Sequence, residues 1–260
     1  MKMIPKVQKV FQRILVATLV FIFALSLSMT QEVSATTAQR IAACTTFAAM
    51  RDFKWVAAGN LTLWNNSSYT SNVEYTGIPY SQASDTTLYG FKTSATMQYN
   101  SAINKYLFSQ PSPAGSVGND CSSAVAISWK ATGSAINVSL VSTLSMVNAA
   151  RSSTNSIAKL GTYSTADCTY TLAMTTRVSA ISLYDGLTSG DACVHYMQPT
   201  TGHHAIFILS NDRTNDIITY GEQAGLDSSG SVNSTWATKT ATYEQLKSAG
   251  YIPIRCTDIS

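Results

Sequence analysis

The chain has 260 residues, 45% hydrophobic and only 12% charged, with 17 Lys and Arg against 14 Asp and Glu. Lys2, Lys6, Lys9 and Arg13 crowd one end, and beyond them bases and acids nearly balance. No basic stripe is left for nucleic acid, and none for an anionic membrane.

The four N-terminal cations precede an apolar run from Ile14 to Leu27, and Val33-Ser34-Ala35 supplies small residues for cleavage. Residues 1–35 read as a secretory signal peptide removed after Ala35. The run is short for a membrane span. The expectation is a secreted protein, extracellular or associated with a cell wall, with no membrane contact once the leader is gone. About 225 residues remain, enough for one well-cored domain.

There are five cysteines: Cys44, Cys121, Cys168, Cys193 and Cys256. Export permits disulfides, and an odd count leaves one thiol over. Cys121 is the candidate free thiol. The other four allow three connectivities, of which Cys168 with Cys193 and Cys44 with Cys256 is one. No C-x-x-C pair supports a zinc or redox site.

Residues 36–54 predict a helix, with Ile41, Phe47 and Met50 at helical spacing and Arg40 and Arg51 outside. It is expected to brace a domain spanning residues 55–260. Trp55 to Tyr80 reads as short extended pieces with a polar turn at Asn65-Asn66-Ser67-Ser68. Gly77-Ile78-Pro79-Tyr80-Ser81 is an extended segment in which Tyr80 either lines a site or packs as an aromatic. Ser81 to Tyr106 is polar with room for a short helix. A Pro, Gly and Ser loop, Ser109 to Gly118, then leads into the apolar run Ala124-Val125-Ala126-Ile127-Ser128-Trp129, which reads as a buried helix.

Asn119 or Asp120 can cap that helix, because a short side-chain oxygen accepts an unpaired N–H of the first turn. Cys121 then stands at the helix N-terminus. The free N–H groups and the helix dipole there favour a thiolate, and so a nucleophile. The plainer alternatives are a small buried residue or half of a disulfide.

Further on, Leu140 to Ala150 is a possible helix, and Ser164 to Ala180 reads as extended or irregular. Ser189-Gly190-Asp191 turns into a strand through Cys193 and His195. Gln198 to Gly202 is a turn. His203 to Leu209 is a strong strand, Ser210 to Asp216 a turn, and Ile217 to Gln223 an antiparallel strand. Ala224 to Lys239 reads as a Gly and Ser loop. Thr242-Tyr243-Glu244-Gln245 has the form of a capping box, opening a short helix that Gly250 stops.

His195 lies within a strand and reads as a core or surface residue. His203 and His204 point to opposite faces of theirs, so only one of them can face a given site. If the hairpin turns near Arg213, His203 stands across from Gln223 with Glu222 one step away. A one-residue change of register exchanges the two candidates. An imidazole that takes a thiol proton needs such a carboxylate or amide to hold its other nitrogen.

Asn119-Asp120-Cys121-Ser122-Ser123 opening a helix, Gly190-Asp191 opening a strand and Gly202-His203 opening the next resemble the NlpC and CHAP branch of papain-like cysteine peptidases and amidases. His203-His204-Ala205-Ile206-Phe207 is similar to their His-Val-Ala/Gly-Ile-Tyr strand, with His203 in the catalytic place. Ile218-Thr219-Tyr220-Gly221-Glu222-Gln223 resembles the CHAP run Ile-Thr-Val-Ser-Glu-Gln, which puts Glu222 third. Ala224 departs from the Asn often found next. Gly77-Ile78-Pro79-Tyr80 looks like a Gly-x-Pro-Tyr segment that those families place ahead of the cysteine, though at a shorter spacing than here.

The resemblance implies an α+β, papain-like domain with a nucleophile helix packed on a small antiparallel sheet. Insertions are expected at 81–117 and 130–185. It implies a Cys121, His203 and Glu222 triad that hydrolyses amide bonds through a thioester, with no metal or organic cofactor. For a secreted member it implies a peptidoglycan or peptide substrate, cut in stem or cross-link peptides. The alternatives are a protease or transamidase acting on proteins, or a degenerate domain kept for adhesion or structure. His204 and Gln223 stand as possible replacements for the assigned partners.

Overall fold

The structure, a computed structural model, describes residues 37–161, 183–195, 203–225 and 235–259. The expected leader, the turn at 198–202 and Cys168 lie outside these residues. Helix α1 (37–52) buries Ala43, Phe47 and Met50, the i, i+4, i+7 stripe of an amphipathic helix.

Strand β1 (Lys54–Ala57) follows at once. A two-stranded ribbon of β2 (Leu61–Thr62) and β3 (Ser68–Tyr69) comes next, then β4 (Glu74–Thr76). The polar stretch beyond Ser81 holds more than the short helix expected of it. Besides α2 (Leu88–Thr93) it forms β5 (Met97–Asn100), whose partner is β6 (Lys105–Phe108). These make a four-stranded sheet in the order β4-β1-β6-β5, with β1 and β6 parallel. Its core is aromatic, with Trp55 against Tyr69, Tyr75, Phe91 and Phe108.

The helix at the candidate nucleophile is α3 (Cys121–Lys130). Helix α4 (Thr143–Ser152) is capped by Ser142 and lies two to three residues later than its apolar pattern suggests. Strands β7 (Ile157–Lys159), β8 (Ala192–His195), β9 (His204–Asp212), β10 (Ile217–Gln223) and β11 (Trp236–Thr242) come after it. The chain closes with helix α5 (Tyr243–Ser248), capped by Thr242 and Gln245 as its sequence pattern predicts, and strand β12 (Ile252–Cys256).

The second sheet is antiparallel throughout, in the order β11-β10-β9-β8-β12-β7. Its edge strand β11 corrects the expected loop through Lys239. Trp236, Thr238, Thr240 and Thr242 pair along the whole of β10, and β-branched threonines suit a pleated edge. The molecule is thus a mixed helix and sheet fold.

Two details of this sheet set the positions of the candidate site residues. Phe47 of α1 stacks on Phe207 of β9 at 4.6 Å and sits over Gly221 of β10, where a Cβ would collide with the ring. Only glycine permits that approach. Between β9 and β10 the register shifts by one. Thr219 pairs with Ser210, but Tyr220 pairs with Ile208, leaving Leu209 as an extra residue on β9.

Cys44, Cys121, Cys193 and Cys256 are all free thiols. The possible Cys44–Cys256 disulfide is therefore not formed, because these residues sit beside different partners. Cys44 adjoins Arg40 and Ser189, and Cys256 adjoins Ser134 and Asp258. Among the described residues, no helix is long and apolar enough to cross a membrane.

Candidate active site

The site begins with two chain segments far apart in sequence. Gly77 to Tyr80 is held almost atom by atom. Trp55 Nε1–H donates to the Gly77 carbonyl at 2.8 Å, and Trp236 Nε1–H donates to that of Ile78 at 2.7 Å. Gln223 Nε2 donates to the carbonyls of Ile78 and Pro79. Against this rail lies Asn119, whose N–H donates to Pro79 while its carbonyl accepts from Ser81 N–H, a bridge that aligns Tyr80 with Asn119. Gly118 makes the approach possible, since at its φ of +141° a Cβ would stand 2.6 Å from the Pro79 oxygen. The Gly-Ile-Pro-Tyr segment therefore lies beside the start of the cysteine's helix despite the long stretch of chain between them.

Asp120 is the N-cap of α3. Its Oδ1 accepts from Ser123 N–H at 2.8 Å, and its own N–H donates to Ser123 Oγ at 2.8 Å. This reciprocal box places Cys121 at the first helical position, 6% exposed. The far end of the helix is pinned by Trp129, whose Nε1–H donates to the Gly190 carbonyl at the approach to β8.

His204 opens β9, hydrogen-bonded to Glu222 of β10 and close enough to the Cys121 thiol for it to raise the imidazole. Nε2–H of His204 donates to Oε2 of Glu222 at 2.9 Å, which leaves Nδ1 as the ring nitrogen for Cys121. The His204 and Glu222 side chains are 19% and 7% exposed. The structure thus brings together Cys121, Glu222 and His204.

His203 is not the histidine of this set. Its side chain alternates to the other side of the strand, and the residue is exposed. The shift at Leu209 makes the difference. Carried straight from the turn, the pairing would put Phe207 across from Glu222 and Ala205 on its diagonal. With the shift, Gly221 pairs with Phe207, so Ile206 stands across from Glu222 and His204 takes the diagonal. Gln223, the other alternative, is fully buried and turned to the rail at Ile78 and Pro79, and its buried Oε1 has no partner among the described residues.

Burial works against a charged His204 ring, but hydrogen bonds and negative charge from Cys121 and Glu222 outweigh it and raise the imidazole to about 9. Burial likewise pushes the Glu222 carboxyl up. Contacts with His204 and Lys239 more than reverse this and hold it below the usual carboxylate range. Burial pushes the Tyr80 hydroxyl up to about 12, against a hydrogen bond from Gln82 that lowers it and with the charges of Cys121 and Asp120 adding to it, so it stays protonated. The same kinds of cause raise Tyr251.

Two neighbours, Lys239 and His195, escape a reading of the sequence. Lys239 of β11 holds Glu222 Oε1 at 2.5 Å, from a stretch that reads as loop. His195 pairs across the ladder with His204, and its ring lies 5.0 Å from that of Tyr251. Burial, then the charges of His204 and His203, lower His195 and keep it neutral. The alternation of Ala237, Lys239 and Ala241 between threonines is the signal that points to Lys239 on a strand face. Nothing local marks His195, because its place depends on the pairing of β8 with β9.

A cavity of about 580 Å³ opens elsewhere, lined by Thr46, Leu88, Ile127 and Val138 among others, and none of Cys121, His204 or Glu222 lines it. Among the described residues no cluster of His, Cys, Asp and Glu is arranged to hold a metal ion. No protein-family model, curated protein or solved structure matches the chain.

Proposed function

We propose that the protein is a secreted papain-like cysteine hydrolase that cuts amide bonds with Cys121 as nucleophile, His204 as base and acid, and Glu222 as the residue that orients the ring. One observation carries the reading. An imidazole stands between a thiol at a helix start and a buried carboxylate, hydrogen-bonded to the carboxylate and raised by its interaction with the thiol. A nucleophile, a base and a third group that holds the base is the general logic of such sites.

The chemistry follows from these atoms. Cys121 Sγ gives its proton to Nδ1 of His204, and an imidazole raised to about 9 holds that proton at neutral pH. The thiolate attacks the amide carbon, and negative charge develops on the carbonyl oxygen. Backbone N–H groups of Cys121 and Ser122 have no intrahelical acceptor at the first turn, so they can stabilise that oxygen. The C–N bond breaks as His204 delivers its proton to the leaving nitrogen, and a thioester remains. His204 then takes a proton from water, the hydroxide displaces Sγ, and the acid product leaves. Through this cycle Glu222 balances the ring's charge from the Nε2 side.

Peptidoglycan stem or cross-link peptides are the substrate we favour, on the export leader of residues 1–35 and the likeness of the Cys121, Glu222 and Tyr80 motifs to NlpC and CHAP enzymes. The test is mass spectrometry of soluble fragments released from purified peptidoglycan, beside a Cys121→Ala control. Fragments cut within the stem peptide and absent from the control are expected. If the wild type releases nothing while Cys121 alone reacts with a thiol probe, the substrate moves to proteins. Absence of both release and labelling would leave a structural or adhesive domain.

A further inference from the structure

We infer that Lys239 is a positioning residue of this site. By holding Oε1 of Glu222 it aims the other carboxylate oxygen, Oε2, at the His204 ring. The inference rests on the triad proposed above and extends it by one strand.

Lys239 pairs across the ladder with Tyr220, not with Glu222, so it must reach along the diagonal to meet the carboxylate. Glu222 in turn reaches His204 along the opposite diagonal on β9. His195, His204, Glu222 and Lys239 thus form one row over four adjacent strands, β8, β9, β10 and β11. The carboxylate is the middle of a relay whose two oxygens are each assigned, at 2.9 Å to His204 and 2.5 Å to Lys239. A carboxylate with one oxygen unassigned can swing between rotamers, whereas one clamped on both oxygens has a single orientation.

This is unlike an exposed surface pair, which is screened and worth little. Lys239 is 56% exposed, but its partner side chain is only 7% exposed. The Lys239 ammonium also lowers the Glu222 carboxyl, while burial alone would raise it. The remaining groups facing Glu222 are Tyr220 on its own strand and Tyr251 ahead of β12, both neutral hydroxyls raised by burial and by this carboxylate. Facing His204 besides Glu222 are Cys121 and His195, its partner across the ladder. Lys239 is therefore the cation that meets Glu222 from the side away from the ring.

The test uses the purified protein with carbon-13 in its glutamate carboxyls. The sequence holds four glutamates, Glu32, Glu74, Glu222 and Glu244, and Glu222→Gln assigns the signal. In Lys239→Met and Lys239→Gln the Glu222 titration midpoint is expected to rise by about half a unit or more, and Lys239→Arg should restore it. In parallel, iodoacetamide labelling of Cys121 is followed against pH. The two neutral variants are expected to lose up to about threefold in rate near pH 4, where the raised midpoint leaves more Glu222 protonated, and to match the wild type closely near pH 8. Unmoved midpoints and superimposable pH–rate curves would overturn the role of Lys239. If wild-type Cys121 labels no faster than Cys44, the triad itself fails, which is a separate result.

Discussion

Glu222 and Asp191 are both carboxylates withdrawn from solvent near the centre of the second sheet, yet they are surrounded differently. Asp191 is fully buried and saturated. Its Oδ1 accepts from Arg40 and Arg255, and its Oδ2 accepts from Arg255, the Thr188 N–H and the Thr188 hydroxyl. Every lone pair faces a donor that is itself fixed, so nothing in the arrangement can move a proton. Glu222 has one partner on each oxygen, and one of them, His204, carries a second nitrogen that opens onto a thiol. Burial of charge alone therefore does not mark a reactive centre. The useful distinction is whether the partner set is closed or leads on to a group with chemistry left to do.

That contrast can be broken most severely at the thiol. Cys121→Ala is expected to lower turnover by about 10⁴-fold or more, while its urea midpoint stays near that of the wild type. Full turnover in that variant would remove the nucleophile from the account. The paired histidines come next. His204→Ala should cost about 10³-fold in kcat/KM, the usual scale for a lost general base, and His203→Ala under about threefold. Equal losses from the two, in the same steady-state assay, would return the choice to His203.

At the closed centre the effect should be on folding. Asp191→Asn leaves two guanidinium groups facing an amide, and loss of one partner in a buried ion cluster costs about 3–5 kcal/mol. Urea denaturation reads this directly, with turnover per folded molecule unchanged. A drop in kcat/KM without a drop in stability would erase the distinction between the two carboxylates.

Glu222→Gln should cost less than His204→Ala, about 10- to 100-fold in kcat/KM, because the amide keeps a hydrogen bond but loses the charge. The His204 midpoint should fall from about 9 toward its ordinary 6.5, read by carbon-13 NMR of labelled histidine. Stability carries the matching sign. A raised His204 contributes fully below 6.5, and its contribution is lost as pH rises through about 9. A depressed Glu222 contributes above its ordinary 4.5 and is lost as pH falls below that. The stability gap between wild type and Glu222→Gln should be widest between those ordinary values and close on either side.

Much of this was legible from residues close together in the chain. Asn119 or Asp120 announces the start of α3, and Thr242 and Gln245 that of α5, because caps are local chemistry. The apolar runs of β9 and β10 announce themselves by composition. What stayed hidden depends on distant pairing. The role of Asp191 is set by Arg40 and Arg255, which lie 151 and 64 residues away. Strand β11 carries almost no apolar signal, because threonines facing solvent on a sheet edge read like a loop. An export leader invites disulfides, but thiols bond by proximity, and the four described ones are free. His203 and His204 differ by a single step, and the choice between them was made by a displaced residue on the far side of Phe207.

Leu209 has a consequence for the lengths this hairpin can tolerate. Strand β9 carries one residue more than a regular ladder opposite β10 requires, and the surplus is gathered at Leu209. A single-codon deletion between Ala205 and Leu209 should be absorbed by straightening the strand, with His204 still on the diagonal of Glu222. The same deletion at Gly221 of β10 has no slack to draw on. It would carry Glu222 one step along its strand and onto the opposite face, so that Cys121, His204 and Glu222 all remained in the chain but no longer met.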